Sequence, residues 1–131
     1  MSPETRAHLE KSREDLAKAR LVLERLHYAD EAGRLAYLAA FHAAQALICE
    51  RKGRAAKTHA GVHSQFHLLT KNDSNWADPE LRNFLSDGFD LKTVADYDTG
   101  PDAVVSHEDA EAAIATAARF IERAAESLAP R

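Results

Sequence analysis

The chain has a single cysteine, Cys49, in 131 residues. That excludes an internal disulfide and a cysteine-rich zinc knuckle, and it suits a reducing, cytoplasmic setting. No apolar run approaches the ~20 residues of a membrane span. The opening stretch, MSPETRAHLEKSRED, is polar and mixed in charge, so no signal peptide is expected there. A positive excess is also missing: a net charge of −4 argues against a protein that coats itself in nucleic acid. No strand pattern, internal repeat or low-complexity segment is visible. The composition, 45% hydrophobic and 29% charged, fits one globular domain over residues 1–131.

Helical signals fill that domain. Ser2-Pro3 reads as an N-cap with proline in the first turn, and Leu9, Leu16, Leu23 and Leu26 keep one stripe to about residue 27. A second helix is predicted from near Asp30 to Gly53. Its middle, LAYLAAFHAAQALI, carries alanine on several faces, which lets neighbours approach closely and marks it as central. Thr58 caps a short third helix, about 59–71. Asp78-Pro79 opens a fourth, weakened or bent at Gly88 and ended by Gly100-Pro101. Ser106 and Asp109 form a capping-box-like start to a fifth. Its Ala110, Ile114, Ala117, Ile121, Ala124 and Leu128 alternate by four and three as a bundle seam. The fold class is therefore all-α: an antiparallel up-and-down bundle of four long helices and one short one.

The segment KTHAGVHSQFH places His59, His63 and His67 four apart, on one stripe of a helix. His59 and His63 have a metal-ligand spacing, but no Glu follows His59 as in HExxH, and no Cys or carboxylate stands at a matching position nearby; no metal is expected. Nucleophilic catalysis has less support: Ser64 and Ser86 lack a glycine elbow, and Cys49 lies in an apolar helical stretch that suits the core. Phosphodiester cleavage needs a proton acceptor beside a cation. Arg34, His42, Arg54, Lys57, His59 and Lys92 offer such groups. One basic run, ERKGRAAK (50–57), sets Arg51, Lys52, Arg54 and Lys57 against Glu50 alone. It suits local attraction of phosphate and equally a solvated helix end.

Four segments in order, AGRLAYLAAFHAAQALI (32–48), KTHAGVHSQF (57–66), LKTVADY (91–97) and VSHEDAEAAIATAARFI (105–121), resemble the HEPN domain (higher eukaryotes and prokaryotes nucleotide-binding), in its small stand-alone prokaryotic branch. The resemblance implies a helical bundle, commonly a homodimer. It also implies a metal-independent RNase acting without cofactor, often a toxin encoded beside a minimal nucleotidyltransferase that serves as antitoxin. The family signature is Arg, four to six residues, then His, in the later helices. Here Lys92 stands in that neighbourhood with no histidine after it, and Asp96 and Tyr97 follow. Arg54 and His59 match the spacing formally, but in a loop-to-helix turn.

The expected function is thus a toxin–antitoxin-type component that binds RNA or nucleotide, with weak RNase activity or none. The alternative is a non-catalytic interaction module acting through dimer or partner contacts. Two patches are expected. One gathers Arg34, Lys92, Asp96 and Tyr97, with His42 at its floor, because the start of the second helix meets the end of an antiparallel fourth. Arg34 is expected to pair with an acid such as Asp96, and Lys92 with Asp96 one turn on. The other gathers Arg51, Arg54, Lys57 and His59 at the far end of the second helix, about 34 Å away at 1.5 Å per residue. His63 and His67 are expected at the surface. Tyr37, Phe41, Phe66, Phe84, Phe89 and Phe120 are assigned to the core.

Overall fold

The computed structural model describes residues 1–97 and 104–130. Helix α1 spans Pro3–Leu21 and runs into a π-helical turn, Val22–Leu26. Helix α2 is Ala29–Lys52, α3 is His59–Thr70, α4 is Pro79–Tyr97 and α5 is His107–Leu128, with a short 3₁₀ turn at Ser74–Trp76 before α4. No strand occurs among the described residues.

Local chemistry sets the ends. Ser2, Thr58 and Ser106 each accept a backbone N–H three residues on, from Thr5, Gly61 and Asp109. Asp78 accepts from Glu80 at 2.9 Å. Each bond satisfies one of the free donors of a helix start. His27 turns the chain between α1 and α2 with φ 56°, a left-handed conformation uncommon outside glycine. Gly53 ends α2 in the same region, φ 82°, as helix C-termini favour. The sequence end assigned to α4, Gly100-Pro101, lies outside the described residues.

Helix α2 is the axis against which α1, α4 and α5 pack, with the short α3 laid on α2 and α4. Its alanines at 32, 36, 39, 40, 43, 44 and 46 are fully buried, as their small size on several faces requires. The ends fix the directions. The N-terminal ammonium lies 3.4 Å from Glu50, so α1 runs antiparallel to α2. Arg34 reaches Asp96, so α4 does too. Asp30 accepts from the Val105 N–H at 3.1 Å, which brings the start of α5 to the start of α2. The result is up-down-up-down, with α3 inserted between α2 and α4. All six seam positions of α5 from Ala110 to Leu128 are buried. Trp76, Phe66 and Phe120 form an aromatic knot with ring centres 5.0–5.1 Å apart, closing the end of the bundle that holds the α3–α4 connection.

Gly88 has a packing role that the sequence does not announce. Helix α4 is continuous through it. A Cβ there would stand 3.1 Å from Tyr37 Cδ1 and 3.3 Å from Tyr37 Cβ. The missing side chain lets α4 settle over the Tyr37 ring, so the glycine serves close approach.

Candidate functional site

The chain between α2 and α3 retraces α2. From Gly53 to Phe41 is about 18 Å of helix at 1.5 Å per residue. Residues 53–59, drawn out at about 3.3 Å each, reach about 20 Å. Gln45 pins this return: its amide donates to the Ala56 carbonyl and accepts from the Ala56 N–H, both at 2.9 Å. Thr58 is extended and caps α3, and His59 is delivered against the middle of α2.

There it meets Tyr37, which is fully buried. The Tyr37 hydroxyl lies 2.8 Å from His59 Nδ1 and 3.0 Å from His63 Nε2. Aromatic rings close the surroundings. Phe41 is 4.5 Å from His59 between ring centres, and Phe89 is 5.7 Å from each histidine. Burial holds the Tyr37 hydroxyl protonated well above the ordinary phenol range. Burial also lowers the pKa of His59, and Lys92 lowers it further by charge repulsion. His63 is lowered by burial and then by His59. Both rings are therefore neutral over a wider pH range than a free imidazole.

Beside this cluster the start of α2 and the end of α4 form an ion-pair network. Arg34 Nε is 3.0 Å from Asp96 Oδ1, and Lys92 Nζ is 2.5 Å from Asp96 Oδ2. Arg34 also reaches Glu31 at 3.2 Å. The Lys92 hydrogen bond first, then the charges of Lys92 and Arg34, hold the Asp96 carboxyl below the usual carboxylate range. Lys92 Nζ stands 5.9 Å from the Phe89 ring centre and 5.6 Å from that of the exposed Tyr97. Phe89 thus neighbours both His59 and Lys92.

The structure brings Arg34, Lys92, Asp96 and Tyr97 together as expected. Among the histidines it differs from expectation in three places. His59 joins the α2/α4 face, because the return of residues 53–59 cancels about half the length of α2. His63 is half-buried on Tyr37, so it is no incidental surface residue. His42 faces α1, with Nε2 3.7 Å from the buried Asp15 and its ring 6.1 Å from that of His8; it is not the floor of the Arg34 network. Burial lowers the His42 pKa more than Asp15 raises it. Arg51, Arg54 and Lys57 are exposed, as is His67. Phe41 and Phe89 are only partly buried and line the histidine site.

Sequence reasoning missed Tyr37 as a functional candidate, since one tyrosine in an alanine-rich helix reads as core. The signal that bears on it is the His59/His63 spacing: once that face packs on the core, both rings call for a polar partner such as a tyrosine hydroxyl. Among the described residues no group of three histidines, cysteines or carboxylates is placed to hold a metal ion. No described helix is long and apolar enough to cross a membrane.

Fold and site together define a small helical-bundle domain with a neutral histidine pair beside a lysine–arginine–carboxylate network. The chain belongs to the HEPN domain family, whose model matches residues 5–128. It is also similar to a protein of Methanocaldococcus jannaschii named "Putative toxin MJ0605", at 32% identity over 125 residues, covering 95% of this chain and 89% of that protein.

Proposed function

We propose that this HEPN protein is a toxin-like component that binds RNA and cleaves it slowly without a metal. One observation carries the reading: a neutral imidazole, His59, is fixed at Nδ1 by Tyr37 beside the ammonium of Lys92. In the tautomer whose Nδ1–H donates to the Tyr37 oxygen, the Nε2 nitrogen is bare and would take the proton of a ribose 2′-hydroxyl. Lys92 and Arg34 would steady charge on the phosphorus as the oxygen attacks. Lysine here does the work of a point charge rather than a bidentate fork, which fits a slow enzyme. The exposed Arg51, Arg54 and Lys57 would hold the flanking RNA backbone. The relative's name supports the toxin part of this reading.

A homodimer and a minimal nucleotidyltransferase antitoxin belong to the same proposal. Exposed Leu21, Leu26, Tyr28, Tyr97 and Val104 offer apolar surface for such contacts. Light scattering at micromolar concentration and co-purification of the co-expressed pair test these two parts.

The direct test is incubation of the purified protein with labelled single-stranded RNA in excess chelator. Cleavage is expected from the wild type and not from His59→Ala. Cleavage that survives His59→Ala, or that requires added metal, refutes the site.

A second reading, the non-catalytic interaction module, is favoured by the pairing of both Arg34 and Lys92 with Asp96. On the RNA reading this carboxylate occupies the position a phosphate would take. Asp96→Asn then frees the cations and tightens RNA binding at low salt. Unchanged or weaker binding favours the interaction module.

A further inference from the structure

We propose that Tyr37 is a proton bridge between His59 and His63, and that His63 is the second proton-transfer group of the cleavage reaction. This rests on the RNA-cleaving reading above. The bridge follows from counting protons. Two ring nitrogens, His59 Nδ1 and His63 Nε2, face one phenol oxygen at 2.8 and 3.0 Å. That oxygen owns one proton. It donates to one ring and accepts from the other. If it donates to His59, then His59 carries its own proton on Nε2, and His63 donates from Nε2. If it donates to His63, then both rings carry their protons on Nδ1. The two histidines therefore share one tautomer, both Nε2–H or both Nδ1–H. A mixed pair either sets two N–H groups on the oxygen and leaves the buried hydroxyl proton without an acceptor, or sets two bare nitrogens against a single proton and leaves one of them unpaired.

The two matched states have opposite chemistry at their free nitrogens. With both protons on Nδ1, His59 offers a bare Nε2 as base and His63 offers an Nδ1–H as acid. His63 lines the groove of about 580 Å³ between α3 and α4, together with Ser64, His67, Arg82, Asn83 and Ser86. The leaving 5′-oxygen would reach His63 from this groove while the 2′-hydroxyl of the same linkage meets His59.

The reaction balances along this path. The 2′-hydroxyl gives its proton to His59 Nε2, the 2′-oxygen bonds to phosphorus, and the bond to the 5′-oxygen breaks. That oxygen takes the Nδ1 proton of His63. Meanwhile the His59 Nδ1 proton passes to the phenol oxygen, and the phenol proton passes to His63 Nε2. The products are a 2′,3′-cyclic phosphate and a 5′-hydroxyl. Both histidines now carry Nε2–H, the arrangement needed to run the steps in reverse with water, His63 as base and His59 as acid. Hydrolysis of the cyclic phosphate would restore the starting state. The charged and titratable groups around the bridge are Lys92 of α4 and His42 of α2 toward His59, His59 itself toward His63, and His67 of α3 and Arg82 of α4 along the groove that His63 lines.

Two measurements test this. The first is long-range proton–nitrogen NMR of the ring nitrogens in the substrate-free protein. Equal tautomer populations on His59 and His63 are expected, and the match should be lost in the near-isosteric Tyr37→Phe. Opposite tautomers in the wild type overturn the bridge whatever the protein does to RNA. The second is the pH profile of RNA cleavage. His63→Ala should lose at least tenfold in rate and the high-pH limb of the profile. Wild-type rate and profile in His63→Ala, with His59→Ala inactive, overturn the acid role alone. A wild type that cleaves no RNA removes that role together with the RNA reading, while the tautomers still decide the bridge.

Discussion

Replacing Gly88 with alanine sets two known effects against each other. Alanine is about 1 kcal/mol more favourable than glycine inside a helix, and Gly88 lies in the middle of α4. The added Cβ would stand 3.1 and 3.3 Å from two carbons of Tyr37, inside the ~3.5–4.0 Å of ordinary carbon contact. The sign depends on whether Tyr37 can move. It is fully buried, its hydroxyl is held by two histidines, and its ring lies 5.6 Å from that of Phe89 and 6.0 Å from that of Phe41. Overpacking a core site of this kind costs about 1–3 kcal/mol. The expected net is destabilisation of roughly 1 kcal/mol in urea unfolding, with unchanged m-value. In a Tyr37→Phe background the ring is released at its polar end, and the Gly88→Ala penalty should shrink, with a coupling of about 0.5–1 kcal/mol between the two sites. Stabilisation by Gly88→Ala in the wild-type background would show that Tyr37 yields easily. It would refute the claim that the two histidines and the packed rings hold the phenol in place.

Two further outcomes follow from the same geometry. Gln45→Ala removes both bonds to the Ala56 backbone and should cost about 1–3 kcal/mol, with faster amide exchange over residues 54–60; unchanged exchange would mean that the return along α2 is held by something else. Stability should also fall as pH drops. His42, His59 and His63 have folded-state pKa values lowered chiefly by burial. Below the unfolded value of about 6.5 the unfolded chain takes up protons that the folded chain refuses, so stability present at pH 8 is lost on the way down and levels off below the folded values. The slope is at most about 1.4 kcal/mol per pH unit for each such proton, and less where solvent reaches the ring, as at His59 and the half-buried His63. Urea midpoints that rise from pH 7 to pH 5 would contradict this.

The legible parts of the fold are those set by near neighbours. The caps at Ser2, Thr58, Asp78 and Ser106 act within three residues, and the α5 seam is a periodic pattern, so both could be read directly. The Arg34–Asp96 contact was legible because antiparallel helices bring a start against an end. The π-helical turn at Val22–Leu26 and the left-handed His27 carry no glycine or proline to announce them. The place of His59 was the larger miss. Measuring along α2 gave a long separation from Arg34 because it took the chain to stay at the end of that helix. The six-residue return is held by Gln45, eleven residues from Ala56, and nothing in the linker itself signals that bond. His63 was misjudged for a related reason: its partner, Tyr37, lies 26 positions earlier on another helix. Distant pairings of this kind decide the site, and periodicity does not report them.

The claim that His59, Tyr37 and Lys92 form the RNA site is tested most directly by NMR titration with a short RNA carrying a 2′-deoxy sugar at the cleavage position. Such an RNA binds without reacting. The account predicts the largest shifts at His59, His63, Phe89 and Lys92, with smaller ones at Arg51, Arg54 and Lys57. Shifts confined to the basic 51–57 turn, or to the apolar end around Tyr28 and Val104, would contradict it.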